Sequence, residues 1–220
     1  VRETECFCRL SSQALEDLQR RGVPVSFATG EVVVHEGFRG EKVYIVCHGR
    51  VKLTASSPEG RLLLLRVAEA GDVLGLAPVL NGGEHKVTAE TLEPCEMMAV
   101  GRTELLAFMD RYRDAGRNAV LTIVDEYEEA MLSVRRLSLS ESAAQKLASV
   151  LVEWGRREAK NGAGRLEFTM PLTHEELGAM AGLSRETVTR LLARFRREGT
   201  LQQHGKRMII EQPERLETQP

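Results

Sequence analysis

Residues 172–201 read LTHEELGAMAGLSRETVTRLLARFRREGTL, and they decide the fold. Thr173 and Glu176 stand at the T-x-x-E spacing of a capping box, with Leu172 and Leu177 placed as its hydrophobic staple. Ser184 caps a second helix stapled by Leu183 and Val188, and Gly182 supplies the tight turn between the two helices. On that second helix Val188, Leu191, Leu192 and Phe195 share one face at 3.6-residue spacing. Glu186, Arg190, Ala193 and Arg197 share the opposite face, Thr189 lies beside them, and Arg185 stands on the flank of the exposed first turn. Two short capped helices joined this way form a helix-turn-helix, whose second helix offers its N-terminal residues to a DNA major groove.

The residue types on that face suit the groove. Arginine can donate two bonds to guanine O6 and N7, and glutamate can accept from cytosine N4. Ser184, with Thr173 and Thr187, suits backbone phosphates at helix starts, where unpaired N–H groups point outward. Taken alone, Glu186 and Arg190 read equally well as an i,i+4 ion pair on a solvated helix, worth a few tenths of a kcal/mol. The neighbourhood favours the DNA reading. The stretch 185–207 carries seven basic residues against two acids, although the whole chain has a net charge of -2. That overall balance argues against indiscriminate coating of nucleic acid. The following QQHGKRMII reads as a hairpin with Lys206 and Arg207 at its tip, a wing touching the DNA backbone.

Upstream the pattern changes twice. A helix is expected at 11–21, and from about 25 to 100 short β-rich runs such as EVVVHEG, EKVYIVCHG and PCEMMAVG are punctuated by glycines. Such runs indicate an antiparallel sandwich or barrel. Between Arg117 and Arg136, Val120, Val124, Tyr127, Met131 and Val134 recur at steps of four and three. That is a heptad seam, buried when two helices pair; the plainer alternative is an amphipathic helix packed on its own domain, whose stripe would be wider. A further helix is expected after Ser138, with Ser138 and Glu141 as its capping box, ending before NGAG. The plan is therefore a β-rich domain over 1–115, a long dimer helix over 116–137 and a small helical domain over 138–220.

On GLSRETVTR, residues 182–190, the segment resembles the winged helix of the CRP/FNR transcription regulators. The order of β-rich front, heptad helix and C-terminal domain matches that family along nearly the whole chain. The resemblance implies an α+β fold: an N-terminal antiparallel β-roll (jelly-roll-like) sensor domain, a long dimerisation helix and a C-terminal winged helix-turn-helix. It implies a homodimer on double-stranded DNA, with RNA polymerase as a further partner where the regulator activates. Arg185, Glu186 and Arg190 would read bases, and Thr189 would occupy a position that tunes the half-site. Arg185 and Glu186 together point to a TGTGA-type rather than a TTGAT-type half-site.

The resemblance also sets the pocket to be checked. Nucleotide-binding members carry G-E-L-[AG] followed by R-[ST]-A, an acid for the ribose hydroxyl and an arginine for the cyclic phosphate. Here GDVLGLAPVL places Leu76 at the acid, and GGEHKVTAET places His85 and Lys86 at the Arg-Ser pair. Losing two charge-assisted bonds, each worth about 1.5–3 kcal/mol, makes cyclic AMP an unexpected ligand. Leu74, Gly75, Leu76, His85, Lys86 and Thr88 remain the candidate effector pocket; His85 and Lys86 could meet an anion other than cyclic AMP, but the sequence favours a solvated loop for these two. FNR-type members hold an iron–sulfur cluster on three N-terminal cysteines and one in the roll. This chain offers Cys6 and Cys8 as C-x-C, Cys95 at the roll position and Cys47 to complete four. A cluster, a thiol switch and incidental thiols stay open, as does haem through Cys47, His48 or His85.

Several classes are excluded or disfavoured. No apolar run approaches the roughly 20 residues of a membrane span, and the start VRETECFCRL is charged where a secretory signal is apolar, so a cytoplasmic protein is expected. Four scattered cysteines do not make a disulfide scaffold. The competing reading, a β-roll small-molecule binder or enzyme that uses its C-terminal helices only for packing, needs a polar catalytic cluster. The histidines 35, 48, 85, 174 and 204 are spread out and provide none, so no enzymatic activity is expected.

Overall fold

The computed structural model describes residues 10–139, 142–158 and 164–218, and the chain divides into two compact units, Val1–Ala130 and Met131–Pro220. In the first unit α1 (Ser12–Arg21) precedes β1 (Val23–Phe27), β2 (Val32–Val34), β3 (Lys42–His48), β4 (Val51–Ser56), β5 (Leu62–Ala68) and β6 (Val73–Leu74). The short α2 (Leu76–Asn81) follows, then β7 (Thr88–Thr91), β8 (Cys95–Gly101), α3 (Arg102–Arg111) and α4 (Arg113–Leu139), whose residues from Met131 on belong to the second unit. The strands form two four-stranded antiparallel sheets, ordered β1-β8-β3-β6 and β2-β7-β4-β5.

Strand alternation builds two cores from one sheet. Along β3, Val46 joins Val34, Leu53, Leu74, Ala89 and Met97 inside the roll, with Tyr44 packed against them. Val43 and Ile45 face the other way, under Leu18 of α1, Leu76 and Val79 of α2, Leu105 and Phe108 of α3, and Ala115 and Ala119 of α4. Two elements escaped the sequence reading. β1 is an edge strand, with Val23 exposed and Pro24 in it, so it shows no clean alternation. α2 is a six-residue helix with Pro78 in its first turn, bounded by Gly75 and Gly82 in the left-handed region at φ 77° and 70°. Its C-terminal carbonyl at Val79 is satisfied by Arg102 Nε at 2.8 Å.

In the second unit α5 (Ala143–Glu158), β9 (Leu166–Thr169), α6 (His174–Ala181), α7 (Arg185–Arg197), β10 (Gln202–His204), β11 (Arg207–Ile210) and α8 (Pro213–Glu217) follow in order. The strands form one antiparallel sheet, β10-β11-β9. The capping box expected at Ser138 is displaced. Ser138 lies within α4, Glu141 falls outside the described residues, and the box is made four residues later. There Ser142 Oγ accepts from the Gln145 N–H at 3.1 Å, and Gln145 Oε1 accepts from the Ser142 N–H at 3.2 Å. The helical pattern of α4 thus continues past Ser138, because a serine caps only where the chain leaves helical geometry. Among the described residues no helix is long and apolar enough to cross a membrane.

Candidate nucleic-acid interface

The second unit's helices start where their caps predict. Thr173 Oγ1 accepts from the Glu176 N–H at 3.2 Å, and the Glu176 carboxylate accepts from the Thr173 N–H at 2.8 Å. Ser184 Oγ accepts from the Thr187 N–H at 3.2 Å, and its hydroxyl lies 3.1 Å from Thr187 Oγ1. Gly182 takes the left-handed conformation at φ 67°, and the Leu183 N–H reaches back to the Gly178 carbonyl at 2.9 Å. Gly178 is the tighter requirement of the turn, since a Cβ there would stand 2.6 Å from the Leu183 carbonyl oxygen.

The amphipathic reading of α7 holds side chain by side chain. Val188, Leu191, Leu192 and Phe195 are buried, while Arg185, Glu186, Thr189 and Arg190 are exposed around one open concavity that ends at Ala193. Glu186 and Arg190 make no ion pair, whereas Arg194 and Glu198 at the far end of the helix pair at 2.8 Å. The Glu186 backbone N–H and the Ser184 hydroxyl hold the Glu186 carboxyl below the usual carboxylate range, so it is a fixed acceptor at the helix start. His174, which sequence reasoning passed over, brings Nδ1 to 2.8 Å from Thr189 Oγ1. Its signal was not accessible from helical spacing, because the partner lies 15 residues away on another helix.

The wing is β10, a turn at Gly205 with φ 61°, and β11. Lys206 and Arg207 are both exposed at its tip, as expected. They are not equivalent, since Arg207 pairs with Glu167 across the sheet on β9. Lys206 makes no such pair among the described residues.

In the sensor unit the six candidate pocket residues have different surroundings. Leu74 and Leu76 are core residues, each 1 % exposed, on opposite sides of the sheet. Gly75 has the His85 ring against it, where a Cβ would meet Cε1 at 2.8 Å. Lys86 is solvated beside Glu84 at 3.8 Å, and Thr88 Oγ1 accepts from the Glu36 N–H at 3.1 Å. His85 is 5 % exposed rather than part of a solvated loop, and burial pushes its imidazole below the usual histidine range. It lines a cavity of about 270 Å³ with His35, Phe38, Arg39, Lys42 and Tyr44.

The thiols do not present themselves as ligands. Cys95 is 1 % exposed and its Sγ donates to the carbonyls of Glu93 at 3.2 Å and Arg50 at 3.5 Å. Cys47 is exposed beside Glu96. Desolvation pushes both thiols up, and at Cys47 the Glu96 carboxylate adds to it. Cys6 and Cys8 lie outside the described residues, and among the described residues no group of three or more His, Cys, Asp or Glu could hold a metal ion. Of the four candidate ligands, the described residues thus include Cys47 and Cys95.

On α4 the expected seam is uncovered. Val120, Val124, Tyr127, Met131 and Val134 are all between 40 % and 63 % exposed. The other side of the same helix buries Ala115 and Ala119 and lays Ile123 against the core of the roll.

Two family models match the chain, a cyclic nucleotide-binding domain over residues 24–112 and a Crp-like helix-turn-helix domain over 145–219. A cyclic AMP receptor protein of Thermus thermophilus is 31% identical over 188 residues, covering 86% of this chain and 82% of the relative. The transcriptional activator protein FnrL of Cereibacter sphaeroides is 28% identical over 217 residues, covering 96% and 85%. Among solved structures, FixK2 of Bradyrhizobium japonicum superposes with a TM-score of 0.77 at 26% identity, covering 89% of this chain and 95% of that one.

Proposed function

The chain belongs to the CRP/FNR family of transcription regulators, and we propose that it works in the cytoplasm as a homodimer on a pseudo-palindromic DNA site with TGTGA-like half-sites. The relatives it matches are regulators rather than enzymes. One observation carries the reading: Arg185, Glu186, Thr189 and Arg190 share an exposed concavity on a capped helix, with no Glu186–Arg190 pair to neutralise it. Arg185, Glu186 and Arg190 read base edges, Thr189 tunes the half-site, and Thr173, Ser184, Thr187, Lys206 and Arg207 serve the phosphates. Two such helices enter successive major grooves about 34–36 Å apart. RNA polymerase is the further partner if the bound dimer activates. Selection of duplexes from a random pool at low salt tests this: a dyad-symmetric motif is expected, and sequence-independent retention that simply falls with salt would refute it.

We further propose that the sensor unit answers to a signal other than cyclic AMP, the ligand named for the Thermus relative. Support comes from Leu76, whose side chain belongs to the core where an acid would hold a ribose, and from His85, buried and neutral where an arginine would meet a phosphate. Effectors of the cavity beside His85 are favoured over a metal centre by the carbonyl-bonded Cys95 thiol. Cyclic AMP at 1 mM is expected to leave the unfolding midpoint of the purified protein unchanged. A rise of several degrees would restore the nucleotide. An anaerobic absorption spectrum with iron and sulfide analysis checks for cluster and haem together, and the expected protein is colourless.

A further inference from the structure

Thr189 offers a hydroxyl and a methyl, and the hydroxyl's hydrogen is already committed within the protein. Its Oγ1 lies 2.9 Å from the carbonyl oxygen of Arg185, one turn back, to which it donates. The same oxygen lies 2.8 Å from Nδ1 of His174, the first residue of α6. A hydroxyl has one hydrogen and two lone pairs. Whether that hydrogen goes to the carbonyl or to the ring nitrogen, it is used within the protein; with the hydrogen on the carbonyl, the imidazole N–H takes a lone pair as well. Two partners on different helices also fix the side-chain torsion, which a threonine in a helix otherwise divides between two rotamers. With the oxygen turned toward α6 and the backbone, the γ-methyl is the part of Thr189 left to the concavity it shares with Arg185, Glu186 and Arg190.

A methyl in a major groove finds one distinctive partner. The C5-methyl of thymine is the apolar feature of the groove edge, and a threonine methyl packs on it. We propose that Thr189 reads the 5-methyl group of a pyrimidine by apolar contact, so that thymine and 5-methylcytosine are accepted there and uracil and cytosine are disfavoured, with His174 as the positioning residue that holds the methyl outward. This deepens the proposed DNA reading and rests on it.

The test uses the full-length protein and dyad-symmetric duplexes enriched from a random pool. Each thymine is replaced in turn by deoxyuridine in both half-sites. At one position per half-site the loss of the methyl is expected to weaken binding about fourfold, roughly fifteenfold for the dyad, the worth of one buried methyl. Thr189→Val keeps that ratio, whereas Thr189→Ser abolishes it. At the same position 5-methyl-dC binds more tightly than dC. His174→Ala lowers the thymine-to-uracil ratio of the Thr189 protein and leaves that of Thr189→Val unchanged, a coupling that a merely structural histidine would not produce. A ratio that survives in Thr189→Ser and disappears in Thr189→Val makes the hydroxyl the reader and overturns the inference, even though the duplex is still bound. Failure to enrich any dyad would instead remove the DNA reading beneath it.

Discussion

Glu186 and Arg190 stand one helical turn apart with opposite charges and do not pair, so both remain available to a third partner. An arginine with two bonds to a guanine supplies about 1–3 kcal/mol of discrimination against other bases. Arg190→Ala is therefore expected to lose that much selectivity at one base pair per half-site, measured by competition with single-base variants. Lys206→Ala weakens all duplexes alike and reduces the salt slope by about one. Identical profiles for the two variants would show that the roles are misassigned. In the sensor unit, His85 carries a second residue-scale expectation. Burial lowers its pKa from 6.5, so between that value and the folded one the unfolded chain holds more protons than the native state. The resulting stabilisation is complete above about pH 6.5 and is lost as pH falls through the folded value, with a slope of at most about 1.4 kcal/mol per pH unit for one proton. Thermal melts from pH 7.5 to 5.5 should show this loss in the native protein and a shallower one in His85→Asn.

At the scale of elements, caps and turns decide where helices stand. Thr173→Ala removes the box that starts α6 and should cost about 1 kcal/mol, seen as a lower denaturation midpoint with an unchanged denaturant slope. α6, α7 and the wing were legible in the sequence because their signals are local: a cap and its partner lie three residues apart, and the buried face of α7 repeats at 3.6. The same local rule misplaced the start of α5, because Ser138 and Ser142 both stand in S-x-x-E or S-x-x-Q spacing and only the course of α4 selects between them. β1 and α2 were illegible for a related reason. Each depends on neighbours distant in sequence, β8 for the edge strand and Arg102 for the helix end. The candidate pocket shows the limit most plainly: His85 is buried because its ring packs against Gly75, ten residues earlier, and no local pattern around residue 85 announces that.

Across the whole molecule, α4 is a helix with two commitments. One side is fixed to the roll by Ala115 and Ala119 and by Arg66, which is 8 % exposed and reaches Asp72 and Glu126 at 3.1 Å and Glu129 at 3.8 Å. Desolvation pushes the Glu126 carboxyl up despite the adjacent Arg66 guanidinium. The other side exposes the heptad residues, and Tyr127 is 63 % and Val120 61 % open to solvent. Apolar area of this kind is stable in water when a second helix covers it, at roughly 25 cal/mol per Å². In the proposed homodimer the covering helix is another copy of α4, related to the first by a two-fold axis. The double variant Val124→Glu, Tyr127→Glu places four like charges across that axis while leaving the roll side of α4 intact. It is expected to sediment as a folded monomer and to bind a dyad-symmetric duplex at least about 100-fold more weakly, because the second half-site is no longer tethered to the first. A dimer of unchanged mass and affinity would mean that the exposed stripe is covered by something other than its own copy.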